Sequence, residues 1–171
     1  MPKRKVILNL AVSLDGFIEG PNGEFDWCLG DQDYGMKAFM KNIDSIFMGR
    51  KSYEVAMKYE GKNPYPKLIT YVFSNTLKEA YKGTRIVSGK LAEEVRKITR
   101  EKGKNIWLFG GASLVTGFLN EGLIDQLQLA VHPIILGGGK LLFQGINDRI
   151  PFNLKAAKKY SSGLVQLFYT R

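Results

Sequence analysis

Short apolar runs alternate with polar, periodic segments along this chain of 171 residues. Residues 6–13 (Val-Ile-Leu-Asn-Leu-Ala-Val-Ser) are rich in branched apolar side chains and predict a first strand. Residues 44–48 are a short apolar run, a buried strand by length; residues 68–73, rich in aromatic and β-branched side chains, and residues 105–109 predict further strands. Residues 85–87 predict a shorter strand. Residues 91–100 have helical period, with Leu91, Val95 and Ile98 on one face, charges on the other, and Ser88 in place to cap. Residues 34–41, 51–59 and 112–120 predict three more helices. Asp31 and Asp33 stand near the start of the first of these, where negative charge suits the helix dipole. Gly122 closes the last as a left-handed cap. Residues 124–135 and 164–170 predict late strands, with no long helix between them.

Glycine and proline mark the joints. Asp15-Gly16 is a turn signal, and it opens a loop over 16–35 long enough to suggest a functional segment. Residues 61–67 hold two prolines and predict a loop, and Gly137-Gly138-Gly139 a flexible turn. Strands alternating with helices over most of the length predict an α/β fold. The expected architecture is a mixed, mostly parallel central sheet flanked by helices, with antiparallel C-terminal strands, all in one domain spanning 1–171.

Composition narrows the function. A hydrophobic fraction of 44% and a charged fraction of 24% are ordinary for a globular protein and argue against disorder as the main state. The formal charge of +9 attracts anions: nucleic acid, a phosphate-rich cofactor or a phosphorylated substrate. The basic residues are scattered, apart from Lys3-Arg4-Lys5 and Lys158-Lys159, so a solvated basic surface is favoured over specific nucleic-acid contact. Cys28 is alone and cannot form an internal disulfide, which fits a reducing compartment; beside Trp27 and Leu29 it reads as an inert thiol. The apolar stretch 6–14 is far too short to span a membrane and lacks a cleavage site, so a cytoplasmic location is expected. His132 stands alone before Pro133 and reads as a packed structural residue, and no metal-ligand spacing is present. Trp27 and Phe25 suit a pocket wall or the core equally; Phe39 and Met40 suit the core.

Two segments carry the strongest chemical signal. Ile46-Phe47-Met48-Gly49-Arg50-Lys51-Ser52 reads as strand, glycine, helix start. A helix N-terminus offers unpaired N–H groups and partial positive charge, a natural phosphate site. Gly49 lets backbone approach closely, Arg50 and Lys51 add charge, and Ser52 adds a hydroxyl. Leu108-Phe109-Gly110-Gly111-Ala112-Ser113 repeats the arrangement. Two such junctions in one sheet can hold the phosphates of a dinucleotide. Neither a G-x-G-x-x-G after the first strand nor a G-K-[ST] ending occurs.

These segments, with Ser13-Leu14-Asp15-Gly16-Phe17-Ile18 and Pro133-Ile134-Ile135-Leu136-Gly137-Gly138-Gly139 followed by Leu142-Phe143, resemble the dihydrofolate reductase superfamily. The likeness is greatest to the branch containing the riboflavin-biosynthesis reductase domain. The resemblance implies NADPH. It implies that Arg50 and Ser52, beside Gly49 and Lys51, hold the adenosine 2′-phosphate. Ser74 and Asn75 would lie at the adenine ribose, and Gly110 and Gly111, with Ala112 and Ser113, beneath the pyrophosphate. In dihydrofolate reductase the bond between those glycines is cis, so a strained peptide is expected. Ala11 and Ile18 would flank the nicotinamide, under a mobile loop over 16–35. Val115 stands where dihydrofolate reductase has a tyrosine. Counting back from Gly49 without gaps puts the substrate carboxylate at Asp33, with Asp31 equally reachable and helix capping the plainer role for either. Asp15 reads as a turn former.

The expected activity is hydride transfer from NADPH to a heterocycle such as a ribosylated aminopyrimidine or a pterin, by a homodimer. Two alternatives stay open: a non-catalytic NADPH- or nucleotide-binding protein, and, less favoured, a basic nucleic-acid-binding domain.

Overall fold

A computed structural model describes residues 3–60 and 62–171; Gly61, within the expected 61–67 loop, lies outside the described residues. The elements follow in the order β1 (Val6–Ser13), β2 (Phe17–Glu19), α1 (Met36–Lys41), β3 (Ile43–Gly49), α2 (Arg50–Glu60), β4 (Ile69–Phe73), β5 (Thr84–Val87), α3 (Leu91–Arg100), β6 (Asn105–Gly110) and α4 (Ala112–Asn120). After them come β7 (Gln126–His132), β8 (Lys140–Leu141), β9 (Asn153–Lys159) and β10 (Val165–Thr170). The main sheet runs β5-β4-β3-β6-β1-β7-β10-β9, and β2 pairs with β8 in a small second sheet. The six strands from β5 to β7 are parallel. β10 and β9 close the edge antiparallel. The expected mixed, mostly parallel α/β sheet with antiparallel C-terminal strands is the observed one.

Alternation along the central strands feeds two cores, one on each face. Val6, Leu8, Phe47, Tyr71, Ile106 and Leu108 pack under α3 and α4 with Val95, Ile98, Val115 and Phe118. Their neighbours Ile7, Ile46, Met48, Val72 and Trp107 point the other way, against Phe39 of α1 and Tyr53 and Met57 of α2. Strands covered on both faces have no polar side to show, which is why they read as continuous apolar runs. Phe47 sits at the centre of an aromatic cluster, with ring centroids 5.4 Å from Tyr71, 5.1 Å from Phe73 and 5.8 Å from Phe118.

Several boundaries differ from the pattern-based expectation. α1 starts at Met36, not residue 34, because Tyr34 (φ 49°) and Gly35 (φ 80°) are left-handed. Ser88 does not cap α3: the N-cap is Lys90, with no side-chain cap bond. β9 was not expected at all. Every residue in it is exposed, and Lys155, Lys158 and Lys159 interrupt its apolar positions, as suits an edge strand. The triple glycine is not a loose turn; it leads into β8, and a side chain at Gly139 would run into the Glu19 carbonyl.

Candidate functional site

Chain direction makes a crevice between β3 and β6. α2 carries the chain from β3 outward to β4, whereas α4 carries it from β6 past β1 to β7, in the opposite sense. Such a switch point opens a crevice at the carboxyl ends of the strands. Gly49 and Gly110 end those two strands. An extra residue on β6 shifts the register so that Met48 pairs with Gly110. A β-carbon built on Gly49 would lie 3.6 Å from the Gly110 carbonyl oxygen, and one on Gly111 3.2 Å from Ser52 Oγ and 3.7 Å from Gly49 Cα. The two junctions are therefore one structure. Gly110 (φ 135°) and Gly111 (φ 89°) hold backbone angles that other residues adopt only under strain, and the peptide between them is trans, not the expected cis. α4 has no side-chain cap, which leaves its leading N–H groups for a ligand or water.

Around this crevice lie the residues of the expected adenosine end. Arg50 Nη1 donates to Thr76 Oγ1 (2.7 Å) and Nε to Glu54 (2.6 Å), so its guanidinium bridges the start of α2 and the loop after β4. That pair is half-exposed and adds little stability in solvent. The Ser74 hydroxyl accepts the N–H groups of Thr76 (3.2 Å) and Leu77 (3.0 Å), and Asn75 Oδ1 accepts that of Gly89 (3.3 Å). Next to Arg50 opens a cavity of about 230 Å³, lined by Phe73, Ser74, Asn75, Val87, Gly89, Leu91, Glu94 and Leu114. Leu91 of α3 and Leu114 of α4 give it apolar walls, Glu94 of α3 adds a carboxylate, and Ser74 and Asn75 make it polar beyond β4, a shape that suits an aromatic base with its ribose outward. Lys51 and Ser113 stand exposed in the first turns of the two helices, and Ala112 is buried.

Toward the other end of the crevice the sheet surface changes character. On the α1 face, β1 and β7 present Asn9 beside Gln128, Ala11 beside Ala130 and Ser13 beside His132, and β10 adds Gln166 beside Ala130. Small and polar residues replace the core here. Asn9 Nδ2 donates to Gln128 Oε1 (3.4 Å), and Tyr160 donates to Gln166 Oε1 (3.1 Å). Asn9, Gln128 and Gln166 escaped the sequence reading; the signal was present as polar positions on strand faces that a fully covered sheet ought to bury.

The loop over 16–35 covers this surface. Leu29 donates its N–H to His132 Nδ1 (3.2 Å), and Trp27 meets the imidazole edge-on at 5.4 Å. Burial pushes the His132 imidazole below its ordinary pKa, and the accepting Nδ1 requires the neutral ring. His132 is thus a packed, structural residue whose work is to hold the loop. Burial, reinforced by Asp26, pushes the Cys28 thiol up to about 11, as expected of an inert cysteine. Tyr34 bonds Asp31 and shares a hydrogen bond with Ser162 (2.7 Å), tying the loop to the β9–β10 turn. Asp33 is exposed at the start of α1, and its carboxylate accepts the N–H of Lys37 at 3.1 and 3.4 Å. Val115 is fully buried under the sheet. Ile18 in β2 packs on the α4 side of the core.

With this geometry in view, the comparisons with known proteins are specific. The profile of the RibD C-terminal domain matches residues 4–166. The chain belongs to the RibD C-terminal domain family. YyaP of Bacillus subtilis (strain 168) is 44% identical over 99% of this chain and 96% of its own length, and YwjB of the same organism 36% over 99% of both. A crystal structure from Shewanella sp. PV-4, described as a riboflavin biosynthesis protein, superposes with a TM-score of 0.87 at 31% identity, over 98% of both chains. The deaminase/5-amino-6-(5-phosphoribosylamino)uracil reductase of Thermotoga maritima gives 0.76 at 14% identity, over 98% of this chain and 56% of that one. Dihydrofolate reductase from Enterococcus faecalis, solved with NADP(H), gives 0.68 at 16% identity, over 98% and 96%. The RibD C-terminal fold of this chain is therefore dihydrofolate reductase-like, a reductase-type fold, as the sequence resemblance implied. No helix among the described residues is long and apolar enough to cross a membrane.

Proposed function

We propose that this RibD-type chain is a cytoplasmic, homodimeric reductase that binds NADPH across the β3/β6 crevice and reduces a heterocycle such as a ribosylated aminopyrimidine or a pterin. The carrying observation is that Gly49, Arg50, Gly110 and Gly111 meet at one switch point, beside a cavity bounded by Ser74 and Asn75. The glycine pair forms a cradle that a β-carbon would fill, which suits close approach of a pyrophosphate to two helix starts. Arg50 and Ser52 would hold the 2′-phosphate, with Lys51 and Ser113 adding charge and a hydroxyl at the rim. Ser74 and Asn75 would face the adenosine ribose, Ala112 would sit under the pyrophosphate, and Ala11 and Ile18 would flank the nicotinamide. When bound, NADPH supplies the hydride. The chain's part is to orient the acceptor over the Asn9–Gln128–Gln166 surface and to exclude water with the 16–35 loop.

Asp33, near the end of the 16–35 loop, is the proposed substrate-side carboxylate, which would pass a proton through water. Its bond to Lys37 N–H favours a second reading in which it only caps α1, and the buried Val115 in place of a tyrosine favours a binding protein without catalysis. One assay separates them: NADPH oxidation by wild type and Asp33→Asn over a panel of pterins and aminouracils. The reductase reading expects turnover by wild type and a loss of about 10²-fold or more in the variant, the scale of one general acid. Turnover intact with stability lowered by about 0.5–2 kcal/mol is the result of a cap alone. NADPH binding without oxidation by any acceptor supports the non-catalytic reading.

A further inference from the structure

Asp15 does more than turn the chain. Its carboxylate accepts the Ser13 hydroxyl (2.7 Å) and the N–H groups of Leu136 (3.1 Å) and Gly137 (2.8 Å), which lie 121 and 122 residues away. Ser13 Oγ in turn accepts the N–H of Phe17 (2.9 Å), and Leu142 N–H binds the Gly16 carbonyl (2.9 Å). Next comes the β2–β8 ladder, with Phe17 opposite Leu141, and Lys140 paired to Glu19 at 3.5 Å. The segment after β8 is fastened to α4: Thr116 Oγ1 donates to the Gln144 carbonyl (2.8 Å) and Asn120 Nδ2 to that of Gly145 (3.0 Å). Ile18, in the middle of this assembly, is partly buried against the core that lies under α3 and α4.

We infer that Asp15 is a positioning residue: by clamping the β1–β2 turn to the glycines before β8, it fixes Ile18 against the nicotinamide end of the cofactor site. This rests on the NADPH reading above. The segment nearest the cofactor is then a fixed wall, and only the part of the 16–35 loop beyond Gly20 is left to move. Replacing the carboxylate by a carboxamide exchanges one acceptor for a donor that faces N–H groups, which releases the clamp without changing size.

The test compares two ligands by isothermal titration of the full chain. NADPH spans both ends of the site, whereas 2′,5′-ADP reaches only the adenosine end. In Asp15→Asn the Kd for NADPH is expected to rise about tenfold, the equivalent of about 1.4 kcal/mol, while that for 2′,5′-ADP changes less than twofold. Ser13→Ala, which removes one arm of the clamp, is expected to give a smaller loss in the same direction and serves if Asp15→Asn does not fold. Equal weakening of both ligands, or no change in either, overturns the role of Asp15 while leaving the cofactor reading intact. A wild-type protein that binds neither ligand overturns the cofactor reading, and this role with it.

Discussion

His132 shows how a lone polar residue is explained by its partners. Its neutral ring accepts from Leu29, and protonation would turn that acceptor into a donor facing an N–H. Because burial depresses the native value, the unfolded chain binds more protons below its own value of about 6.5. The stability from neutral His132 is therefore complete above about pH 6.5 and is lost as pH falls through the depressed native value. Denaturant unfolding should show wild type losing this increment as pH falls below about 6.5. His132→Asn, whose side-chain oxygen can still accept from Leu29, should lack it; an identical pH dependence in the two proteins would contradict the assignment. Asp15 has the opposite origin for the same direction. Burial raises its pKa, but the Ser13 hydroxyl and the Gly137 and Leu136 N–H groups together hold it below the ordinary carboxylate value. Its clamp is thus intact at neutral pH and opens only in acid, as pH falls through that lowered value.

At the scale of elements, the strand–glycine–helix junctions were legible because the chemistry is local: an apolar run, a glycine and a basic or small residue lie within seven positions of one another. Their meeting was not legible, since it depends on β3 and β6 becoming neighbours across 50–60 residues of chain. The β2–β8 ladder escaped because two or three residues cannot show an alternation, and β9 because an exposed edge strand has no buried face to mark. The Ser74 hydroxyl, expected at the adenosine end, is engaged in its own turn, where it accepts the N–H groups of Thr76 and Leu77. The junction itself is predicted to be intolerant of any side chain. Gly111→Ala forces a left-handed angle and a 3.2 Å contact with Ser52 Oγ. It should cost about 1–3 kcal/mol, several degrees in Tm, and abolish measurable NADPH binding. A variant as stable as wild type that still binds NADPH would show that the cradle is not needed.

The whole molecule is a two-sided sheet with its candidate site at the β3/β6 switch point. On the α1 face the core draws on β4, β3, β6 and the start of β1, whereas farther along that face β1, β7 and β10 give up packing for a small and polar surface under a loop; on the opposite face the core continues to Leu127 and Leu129 of β7. That trade is the physical sign of a ligand-binding half, and it is consistent with membership in a family built on a reductase-type fold. The +9 charge belongs to this scale as well: on the proposed reading, a basic surface would draw an anionic cofactor toward the two helix starts and Arg50. The proposed dimer belongs to this scale too, and sedimentation should return twice the mass of the chain. The most direct test of the central claim is titration of wild type and Arg50→Ala with NADPH and with NADH. A charge-assisted bond to the 2′-phosphate is worth about 1.5–3 kcal/mol, so Arg50→Ala should weaken NADPH by about 10–100-fold and leave NADH within about threefold. Equal losses for the two cofactors, or no binding of NADPH to wild type, would contradict it.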